Sequence, residues 1–454
     1  MSDDTTAWVE QRNQVLARVR RVLIEELKVA RSPDDIDPDA PLFGTGLGLD
    51  SVDAVELVVS LETEFAFRVE DDGRARASMR TVNTLVDLVL RKQGKARPPG
   101  ITAGSRAPAP IDAEIETLRT GVALVTTSEA SVLSVAGAGA FATLDFVCTT
   151  SLALQDTQLR PTLLLDDEGH PLADAVLARD DQRFLLFAEG ISPDALEQHV
   201  RRHAKGDLEL TRLDATHRVL QVHGPWSWDF LASVLGPDVI GLPYLTFLRG
   251  TCAGRAVTCL RTGKTGEFGY ELLVANADAD AVLAAMREKG RDFGVREVSR
   301  AALDHCALEN GFFNVRVAAA KRLTPGELGL RWRVSPRKKD FVGASGASRA
   351  LTRRQVTLVS ASPLEAGQPV QHAGQQVGEV LQGAWSPITR CFVGQAVLSL
   401  PVAMPGVPGL QVGGASVAAV SPPVVNNRSL FISPQQHAWA GRQAVNFGAL
   451  TVWE

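Results

Sequence analysis

The N-terminal part of the chain, up to about residue 95, carries apolar side chains at the spacing of α-helices. Apolar positions 9, 15, 16, 19, 22, 23 and 27 predict a helix over residues 8 to about 28. A polar loop with two prolines follows at residues 32–38, a second helix is predicted directly after Ser51, and a last helix is predicted at residues 82–90 with its cap near Thr81. This pattern predicts an all-α bundle of four short helices with a long first loop.

Residues 92–111 (KQGKARPPGITAGSRAPAPI) are rich in glycine, proline, alanine and basic side chains and offer almost nothing to bury. Such a segment is semi-stiff where prolines cluster and flexible where glycine and serine do. We interpret residues 93–111 as a linker that lets the helical domain at residues 1–92 swing over a neighbouring surface.

Beyond residue 112, short β-like runs alternate with helical stretches, which is the α+β pattern. Strands are predicted at residues 132–135, 162–165 and 184–187, and helices at residues 192–202 and 277–289. From residue 354 onward the pattern is nearly all-β, with glycine turns at 367, 374 and 378. The expected architecture is an α+β region at residues 112–350, followed by a small β-barrel and a tail at residues 351–454.

The composition is ordinary for a protein with sizeable cores, at 45% hydrophobic and 22% charged residues in a chain of 454. No apolar run approaches the roughly 18 residues of a membrane span, so no membrane association is expected. The five cysteines are scattered without metal-ligand spacing, and the N-terminus is acidic and polar. These features predict reduced thiols, a cytoplasmic protein and no metal site.

The net charge of −5 is concentrated in the helical domain, because residues 1–95 contain 18 Asp and Glu against 13 Lys and Arg while the remainder is balanced. An acidic module is suited to docking on basic patches of partner enzymes, since complementary charge speeds encounter. The same sign of charge argues against nucleic acid as a ligand.

A glycine-punctuated loop leads into Asp50 and Ser51 and then into a helix, in the phrase LFGTGLGLDSVDAVEL at residues 42–57. A serine before a helix can be a plain N-cap, but capping does not explain the loop, the Asp-Ser pair and the acidic helix together. The phrase resembles the attachment site of acyl carrier proteins. The resemblance implies that Ser51 carries a 4'-phosphopantetheine arm and that Asp50, Asp53 and Glu56 take part in recognition of the carrier. The predicted apolar stripe of this helix is Val55, Val58, Leu61 and Phe65.

A second set of phrases occurs in a fixed order over some three hundred residues. They are LQVHGP at 220–225, LPYLTF at 242–247, RTGKTGEFGYE at 261–271, LENGF at 308–312, LTPGELGL at 323–330, DFVG at 340–343 and GEVLQGAWSP at 378–387. Each phrase is weak by itself, but the collinear set resembles the aminomethyltransferase, or T-protein, of the glycine cleavage system and its folate-binding relatives.

That resemblance implies a cloverleaf of two related α+β domains and a small barrel around a channel for tetrahydrofolate. In the T-protein, an aminomethyl group leaves the lipoyl arm of a carrier protein and passes to folate. The carboxylate that recognises the pteridine in this family corresponds to Glu267, and the aromatic residue three positions on is Tyr270. A carboxylate that accepts two hydrogen bonds suits an aminopyrimidine edge. The alternative is that both residues serve only the turn and the core.

Three positions depart from the family pattern. The Asn-Asp pair, whose aspartate lies near folate N5, corresponds to Thr149 and Thr150, and an alcohol cannot replace a carboxylate as a proton shuttle near neutral pH. The channel tyrosine falls on Pro161 or Arg160, and an arginine of the helix before residue 308 falls on Leu303. Ordinary glycine-cleavage activity is therefore not expected.

The predicted helix around residues 300–309 is the densest functional candidate. Arg300 and Asp304 are spaced i and i+4, as are His305 and Glu309, so each pair can meet on the helix surface. We consider these four residues as catalytic candidates. The alternative interpretation is two surface ion pairs beside the buried thiol of Cys306.

Three basic residues follow in a loop where the family lines its channel. Arg316, Lys321 and Arg322 are candidates for binding folate's glutamate or the phosphate of the pantetheine arm, or they are solvated loop charges. Lys264 is a weaker candidate of the same kind. His223 stands where the family usually has no ionisable residue, and we expect it to be satisfied structurally.

Together the two resemblances give a leading hypothesis and two alternatives. The leading hypothesis is a tetrahydrofolate-dependent one-carbon (aminomethyl, methyl or methylene) transferase. It would act on an acyl or aminoacyl thioester held on its own carrier domain, in secondary-metabolite or fatty-acid-like biosynthesis. The expected partners are a phosphopantetheinyl transferase, an acyl- or aminoacyl-loading enzyme and downstream biosynthetic enzymes. The alternatives are a non-catalytic cradle that has lost folate, or a folate-independent enzyme that modifies the thioester.

Overall fold

The computed structural model describes residues 3–70, 77–317 and 320–452, apart from the side chain of Lys321. Ten α-helices lie within these ranges: α1 Asp3–Glu25, α2 Ser51–Phe65, α3 Val82–Lys92, α4 Pro110–Thr120, α5 Ala140–Val147, α6 Pro193–Arg202, α7 Ser227–Leu235, α8 Asn276–Gly290, α9 Arg300–Glu309 and α10 Ala344–Ala347. None of the helices that the structure describes combines the length and the apolar character needed to cross a membrane.

The N-terminal domain is helical, as predicted. Helix α1 begins earlier than predicted, at Asp3, and α3 begins at Val82 behind the predicted cap Thr81, whose side chain accepts a hydrogen bond from the Thr84 amide. Three helices of the predicted bundle are therefore in place. The region between α2 and α3 in which a fourth would fall includes residues 71–76, which lie outside the described residues.

Helix α2 buries a stripe that matches the predicted one only at Leu61 and Phe65. Its buried side chains are Leu57, Leu61 and Phe65, which are spaced by four residues, whereas Val55 is 67% exposed and Val58 is partly buried. The predicted stripe begins at Val55, whereas the buried stripe begins at Leu57, so the two differ by a rotation about the helix axis. The misplaced valine therefore lies on the solvent face, on the same helix as Ser51.

Two sheets form the α+β region, and their strands are β1 Ala123–Val125, β2 Ser131–Ala136, β3 Leu159–Leu165, β4 Pro171–Asp180, β5 Arg183–Glu189, β6 Glu209–Arg212, β7 His217–His223, β8 Phe247–Cys252, β9 Arg255–Leu260, β10 Gly269–Ala275 and β11 Arg296–Glu297. The five-stranded sheet has the order β3-β4-β5-β2-β6, and the six-stranded sheet has the order β11-β1-β7-β10-β9-β8. The predicted strands correspond to β2, β3 and β5, and the predicted helices to α6 and α8. Two such sheets agree with the expected pair of related α+β domains.

The C-terminal region closes into a barrel, as predicted. Its strands are β12 Arg353–Ser360, β13 Pro369–His372, β14 Gln375–Ser386, β15 Cys391–Ser399, β16 Leu410–Val412 and β17 Ala415–Val420. The strand order around the closed barrel is β12-β15-β14-β13-β16-β17. Cys391 and the other four cysteines are free and buried.

The predicted linker contacts both the helical domain and the barrel. Arg97 pairs with Asp4 at 2.5 Å and lies over the ring of Trp8. Farther along, the Gly104 amide donates to the carbonyl oxygen of Arg390 at 2.7 Å. These contacts tie the segment to the helical domain at one end and to the barrel at the other, so the residues chosen for a flexible tether run along a surface.

Candidate functional site

Ser51 is the first residue of α2, and its position is exposed. It is not the N-cap. That role belongs to Asp50, whose carboxylate accepts hydrogen bonds from the amides of Val52 at 2.7 Å and Asp53 at 3.0 Å. Asp53 in turn accepts from the Asp50 amide at 2.8 Å, which completes a capping box. The helix start is thus fixed without the serine hydroxyl, which suits a hydroxyl that carries a covalent group.

The three acidic residues predicted for carrier recognition have different surroundings. Asp50 and Asp53 are engaged in the capping box, while Glu56 is exposed on α2 one turn after Ser51. Their role in recognition stays a prediction.

A large cavity of about 360 Å³ lies where the helical domain, the α+β region and the barrel meet. The helical domain contributes Arg12, Asn13, Leu16, Pro38, Asp39, Pro41 and Thr45, among others, to its wall. The α+β region contributes Tyr244, Phe313 and Trp332, and the barrel contributes Arg354 and Met404. The carrier domain is therefore part of the cavity's wall and not a separate body beside it.

A smaller cavity of about 60 Å³ adjoins the large one, with Asp174, Val176, Thr262, Gly263, Lys264 and Phe313 lining both. Lys264 binds Asp174 at 2.7 Å and Glu189 at 2.9 Å, and Arg300 binds Glu189 at 2.8 Å. Burial opposes ionisation of Glu189, but the charges of Lys264 and Arg300 outweigh it and lower the pKa of Glu189. The inner cavity thus contains a network of fixed, paired charges.

Two neighbouring strands bring three further polar side chains to the inner cavity. Gln221 on β7 stands directly opposite Glu271 on β10, with Gln221 Nε2 donating to Glu271 Oε1 at 3.3 Å, and His223 lies two residues along β7. Within the described structure, the two ring nitrogens of His223 have no hydrogen-bond partner, and neither has the amide oxygen of Gln221. The expectation that His223 is satisfied structurally is therefore wrong.

The acid–base properties of this trio follow from burial. Burial, with the negative charge of Glu189 added, raises the pKa of Glu271 to about 7 against the opposing charges of Lys264 and Arg300. Burial and the charge of Arg300 lower the pKa of His223 to about 3, so its imidazole is neutral at physiological pH. A carboxyl that titrates near neutrality and a neutral imidazole are groups that can accept or hold a proton.

Sequence reasoning missed Glu271 and Gln221 as site residues. Glu267 lines neither cavity. Its carboxylate accepts hydrogen bonds from the backbone amides of Arg428 at 3.0 Å and Ser429 at 2.8 Å. Tyr270 is fully buried in the hydrophobic core on the other face of β10. Strand alternation was the available signal, because Tyr270 and Glu271 must face opposite sides of the sheet. Glu271 is the carboxylate of that phrase that faces the cavity.

The four candidates on α9 divide into two sets. Arg300 and Asp304 line the inner cavity, and their predicted i,i+4 contact is present at 3.4 Å. His305 and Glu309 also meet, at 3.1 Å, but both are buried and neither lines a cavity. The pair of His305 and Glu309 is thus not at the surface, and the geometry gives it no place in the site.

Glu309 belongs to a buried network beneath the barrel. Arg119 binds it at 2.5 Å and lies 3.8 Å from Glu267, and all three side chains have no exposed area. Ser386 of the barrel donates to Glu309 at 2.6 Å. This network joins α4, α9 and β14 and has a structural role.

Of the three basic loop residues, Arg316 lines the inner cavity, where it pairs with Glu189 at 3.2 Å and with Asp304. Arg322 is exposed, and the side chain of Lys321 lies outside the described residues. Thr149 and Thr150 stand where the family has its Asn-Asp pair. Thr149 is buried, and its hydroxyl donates a hydrogen bond to the Arg333 carbonyl at 2.9 Å. Its neighbour Thr150 has a buried hydroxyl with no hydrogen-bond partner within the described structure.

One group of possible metal ligands was not foreseen. The turn between β3 and β4 brings ligand atoms of Asp166, Glu168 and His170 within 4.8 Å of one another. Its members are partly or fully exposed, and Asp166 contacts His170 at 3.3 Å. Exposed acidic turns often form such groups without an ion, so we assign no function to this one.

Comparison with known proteins finds matches for both the helical domain and the region that follows it. The GCVT N-terminal domain matches residues 92–338, and the phosphopantetheine attachment site matches residues 17–89. An aminomethyltransferase of Streptomyces avermitilis is 30% identical over 308 residues, which is 65% of this chain and 83% of that protein. The heme-dependent oxidative N-demethylase gamma subunit of Ectopseudomonas mendocina is 30% identical over 315 residues, covering 66% of this chain and 83% of that subunit.

The fold has a counterpart among solved structures. The glycine cleavage system aminomethyltransferase T from Bartonella henselae superposes with a TM-score of 0.59 at 22% identity, covering 75% of this chain and 98% of that one. This likeness supports the arrangement of two sheets and a barrel. The chain belongs to the GCVT aminomethyltransferase family and carries a phosphopantetheine-attachment domain ahead of the folate-type fold.

Proposed function

We propose that this chain is a tetrahydrofolate-dependent one-carbon transferase acting on an acyl or aminoacyl thioester held on the arm of its own Ser51. The observation that carries the proposal is the shared cavity, because carrier residues such as Pro38 and Thr45 form one wall and the folate-type fold forms the other. A substrate on the arm and a one-carbon cofactor in the fold would then meet in one enclosed space.

The residues of the inner cavity fit a folate ring system. The flat aminopyrimidinone edge of a pterin presents donors and acceptors side by side. Glu271, the free oxygen of Gln221 and the two free nitrogens of His223 offer both kinds of partner in a buried pocket. Unpaired buried polar atoms are costly, so a ligand that pairs them gains affinity. When bound there, tetrahydrofolate supplies the nitrogen centre that accepts or donates the one-carbon unit.

The chain's own residues set the chemistry that is available. Glu271, with its pKa near 7, can hold a proton at its carboxyl or release it within the physiological range. Thr150, which stands at the position of the family aspartate, does not take over its role, because it carries a buried hydroxyl in place of a carboxylate. Lys264 and Arg300, fixed by Glu189, keep the cavity's charges in place and favour a polar head group on the substrate. The reaction would therefore differ from the family's in its proton-transfer group.

Calorimetric titration with tetrahydrofolate tests this assignment. Glu271→Gln keeps the side chain's shape and removes the charge, and we expect it to weaken binding at least tenfold, about 1.4 kcal/mol, at pH 8, where wild-type Glu271 is ionised. The matched control is Glu379→Gln, an exposed change on the barrel that should bind like wild type. Equal affinity in all three proteins would remove Glu271 from the folate site.

A second candidate function has one observation in its favour. Thr150 and Leu303 stand where the family has an aspartate and an arginine. The alternatives are therefore a cradle that presents the carrier-bound chain, or an enzyme that modifies the thioester without folate. Activity on a loaded carrier in protein stripped of folate would favour the folate-independent enzyme. An absence of both binding and activity would favour the cradle. The proposal also includes a phosphopantetheinyl transferase and a loading enzyme as partners. It places the protein in the cytoplasm, in a biosynthetic pathway.

A further inference from the structure

The helical domain and the barrel share a hydrophobic core. Buried carrier residues such as Leu23 and Leu61 belong to the same contiguous cluster as barrel residues such as Leu358 and Leu398. Trp8 of α1 is 3% exposed and packs against Gly406, where even a methyl group would overlap its ring at 2.4 Å. A carrier that undocked would expose this surface to water, which opposes undocking.

Polar contacts fix the same interface at separate points. They are Thr5 Oγ1 with His372 Nε2 at 3.0 Å, Trp8 Nε1 to the Pro405 carbonyl at 3.0 Å, Arg12 to Ser421 at 3.2 Å and Arg80 to the Val425 carbonyl at 2.9 Å. Each joins a carrier side chain to the barrel or to the segment that follows it. Contacts of this kind orient the carrier as well as hold it.

The strongest electrostatic contact lies at the cavity. Arg354 of β12 binds Asp37 and, at 2.7 Å, Asp39 of the carrier's first loop. The side chain of Asp37 is 2% exposed and that of Arg354 is 11% exposed. Breaking a buried pair leaves an uncompensated charge, so the loop is held against the barrel at the cavity wall.

The attachment serine lies close to the cavity entrance. The loop after Asp39 places Gly44 against the ring of Tyr244, which is 51% exposed, and Thr45 lines the cavity beside it. Phe43 pairs with Leu49, so the loop folds back and Ser51 follows two residues later. Backbone dimensions then limit the distance from the Ser51 Cα to the Gly44 Cα to about 16 Å.

A phosphopantetheine arm matches this distance. Its chain of about 14 bonds extends to about 16 Å at bond lengths like those of extended backbone, and the serine side chain adds to its reach. The arm therefore reaches the entrance at Tyr244 without movement of the carrier. An arm on another molecule would have to enter past a carrier that already forms the wall.

We propose that the carrier is permanently docked and that the Ser51 arm enters the large cavity past Tyr244 within its own chain, so that only the arm moves. This inference rests on the proposed function, which makes the cavity the place where the substrate on the arm reacts. It adds that the enzyme works in cis, and that the enzymes that load and unload Ser51 act on a docked carrier. Tyr244 is a positioning residue at the entrance.

Photocrosslinking of the full chain tests the inference without requiring turnover. Ser51 is loaded with a pantetheine analogue that ends in a diazirine, and unlabelled and ¹⁵N-labelled chains are mixed in equal amounts at about 1 μM before illumination. An effective local concentration of order millimolar favours reaction within one chain about a thousandfold. We expect crosslinks within single chains, at cavity residues including Tyr244, Phe312 and Trp332. Crosslinks between labelled and unlabelled chains, or spread over the outer surface, would overturn the proposal.

Variants make the result specific to the docked geometry. Arg354→Met removes the contact with Asp37 and Asp39 and should lower the yield of cavity crosslinks several-fold, while Arg353→Met, which only breaks a half-exposed pair with Glu327, should not. Tyr244→Ala removes the ring at the entrance and should lower the yield of cavity crosslinks, whereas Tyr244→Phe keeps the ring and should restore it. An unchanged yield in Arg354→Met with a folded protein would contradict permanent docking. If folate chemistry were absent but the crosslinks fell in the cavity, the proposed function would fail and this inference would stand.

Discussion

The buried network around Arg119 gives a prediction whose size follows from the structure. Replacing Arg119 with methionine leaves the carboxylate of Glu309, and that of Glu267 at 3.8 Å, without their cation, and none of the three side chains has exposed area. Removing one partner of a buried ion pair typically costs about 3–5 kcal/mol. The exposed counterpart is Arg183→Met, whose pair with Asp180 is half open to solvent and should contribute at most about 1 kcal/mol.

The same change should weaken the dependence of stability on pH. In the wild type, burial opposes ionisation of Glu309, but Arg119 and then His305 overcome it and lower its pKa to about 2 from 4.5. A depressed folded-state pKa stabilises the protein above the unfolded pKa, and that contribution, about 3 kcal/mol, is lost as pH falls from about 5 to 2. Without Arg119, burial of Glu309 is opposed only by His305 and Ser386, so the pKa of Glu309 should lie above its wild-type value. The gain in stability as pH rises from about 2 to 5 should therefore be smaller in the variant than in the wild type.

Urea unfolding followed by tryptophan fluorescence at several pH values measures both effects. The expected result is a free energy of unfolding at pH 7 that is about 3–5 kcal/mol lower in Arg119→Met, with a smaller difference at pH 4 than at pH 7. A loss below about 1 kcal/mol at pH 7, or parallel pH profiles for the two proteins, would refute the assignment of a buried, charged network. Glu309→Gln should also destabilise the fold, but the activity per folded molecule should be unchanged, because Glu309 does not line either cavity.

Other predictions concern the carrier and the inner cavity. Ser51→Ala should fold normally and gain no mass from a phosphopantetheinyl transferase in intact-protein mass spectrometry, and any modification elsewhere would contradict the attachment site. Asp50→Ala removes the cap of α2 and should cost about 1 kcal/mol by thermal unfolding, whereas a neutral change would argue against the capping box. Leu57→Ala should cost about 2–5 kcal/mol and Val55→Ala less than about 0.5, which tests the corrected stripe by the same assay. Burial raises the pKa of Glu271 to about 7, so wild-type stability should fall by up to about 3 kcal/mol between pH 4.5 and 7, and Glu271→Gln should flatten that fall.

The fold was predictable from the sequence because its signals are local. Helix α3 has a threonine cap and an apolar period, and the barrel strands have glycine turns, so local chemistry and final structure agree. The family phrases supplied the two-sheet arrangement that periodicity alone does not give. Docking of the carrier was not predictable, because Asp37 and Trp8 contact barrel residues that lie more than 300 residues away, and no local pattern links them.

The site was predictable only in part, for reasons of geometry. Arg300, Asp304 and Arg316 reach the inner cavity, but the spacing that suggested His305 and Glu309 equally well describes a pair that faces the core. Motif position pointed to Glu267, and Glu271 was missed although strand alternation along β10 places it on the face opposite the buried Tyr270. His223 looked structural as a single residue, and its free ring nitrogens became evident once the neighbouring strands were in place.

Intact-protein mass spectrometry of the holo-protein tests the central claim most directly. The Ser51 arm is loaded with a set of acyl and aminoacyl thioesters, and each is incubated with tetrahydrofolate or with 5,10-methylene-tetrahydrofolate carrying ¹³C in the transferred carbon. The account predicts that at least one thioester loses a one-carbon unit to tetrahydrofolate or gains the labelled carbon, in wild type and much less in Glu271→Gln. If no thioester changes mass in a folate-dependent manner while folate binds and the arm is loaded, the claim that this chain transfers one-carbon units on its own carrier is contradicted.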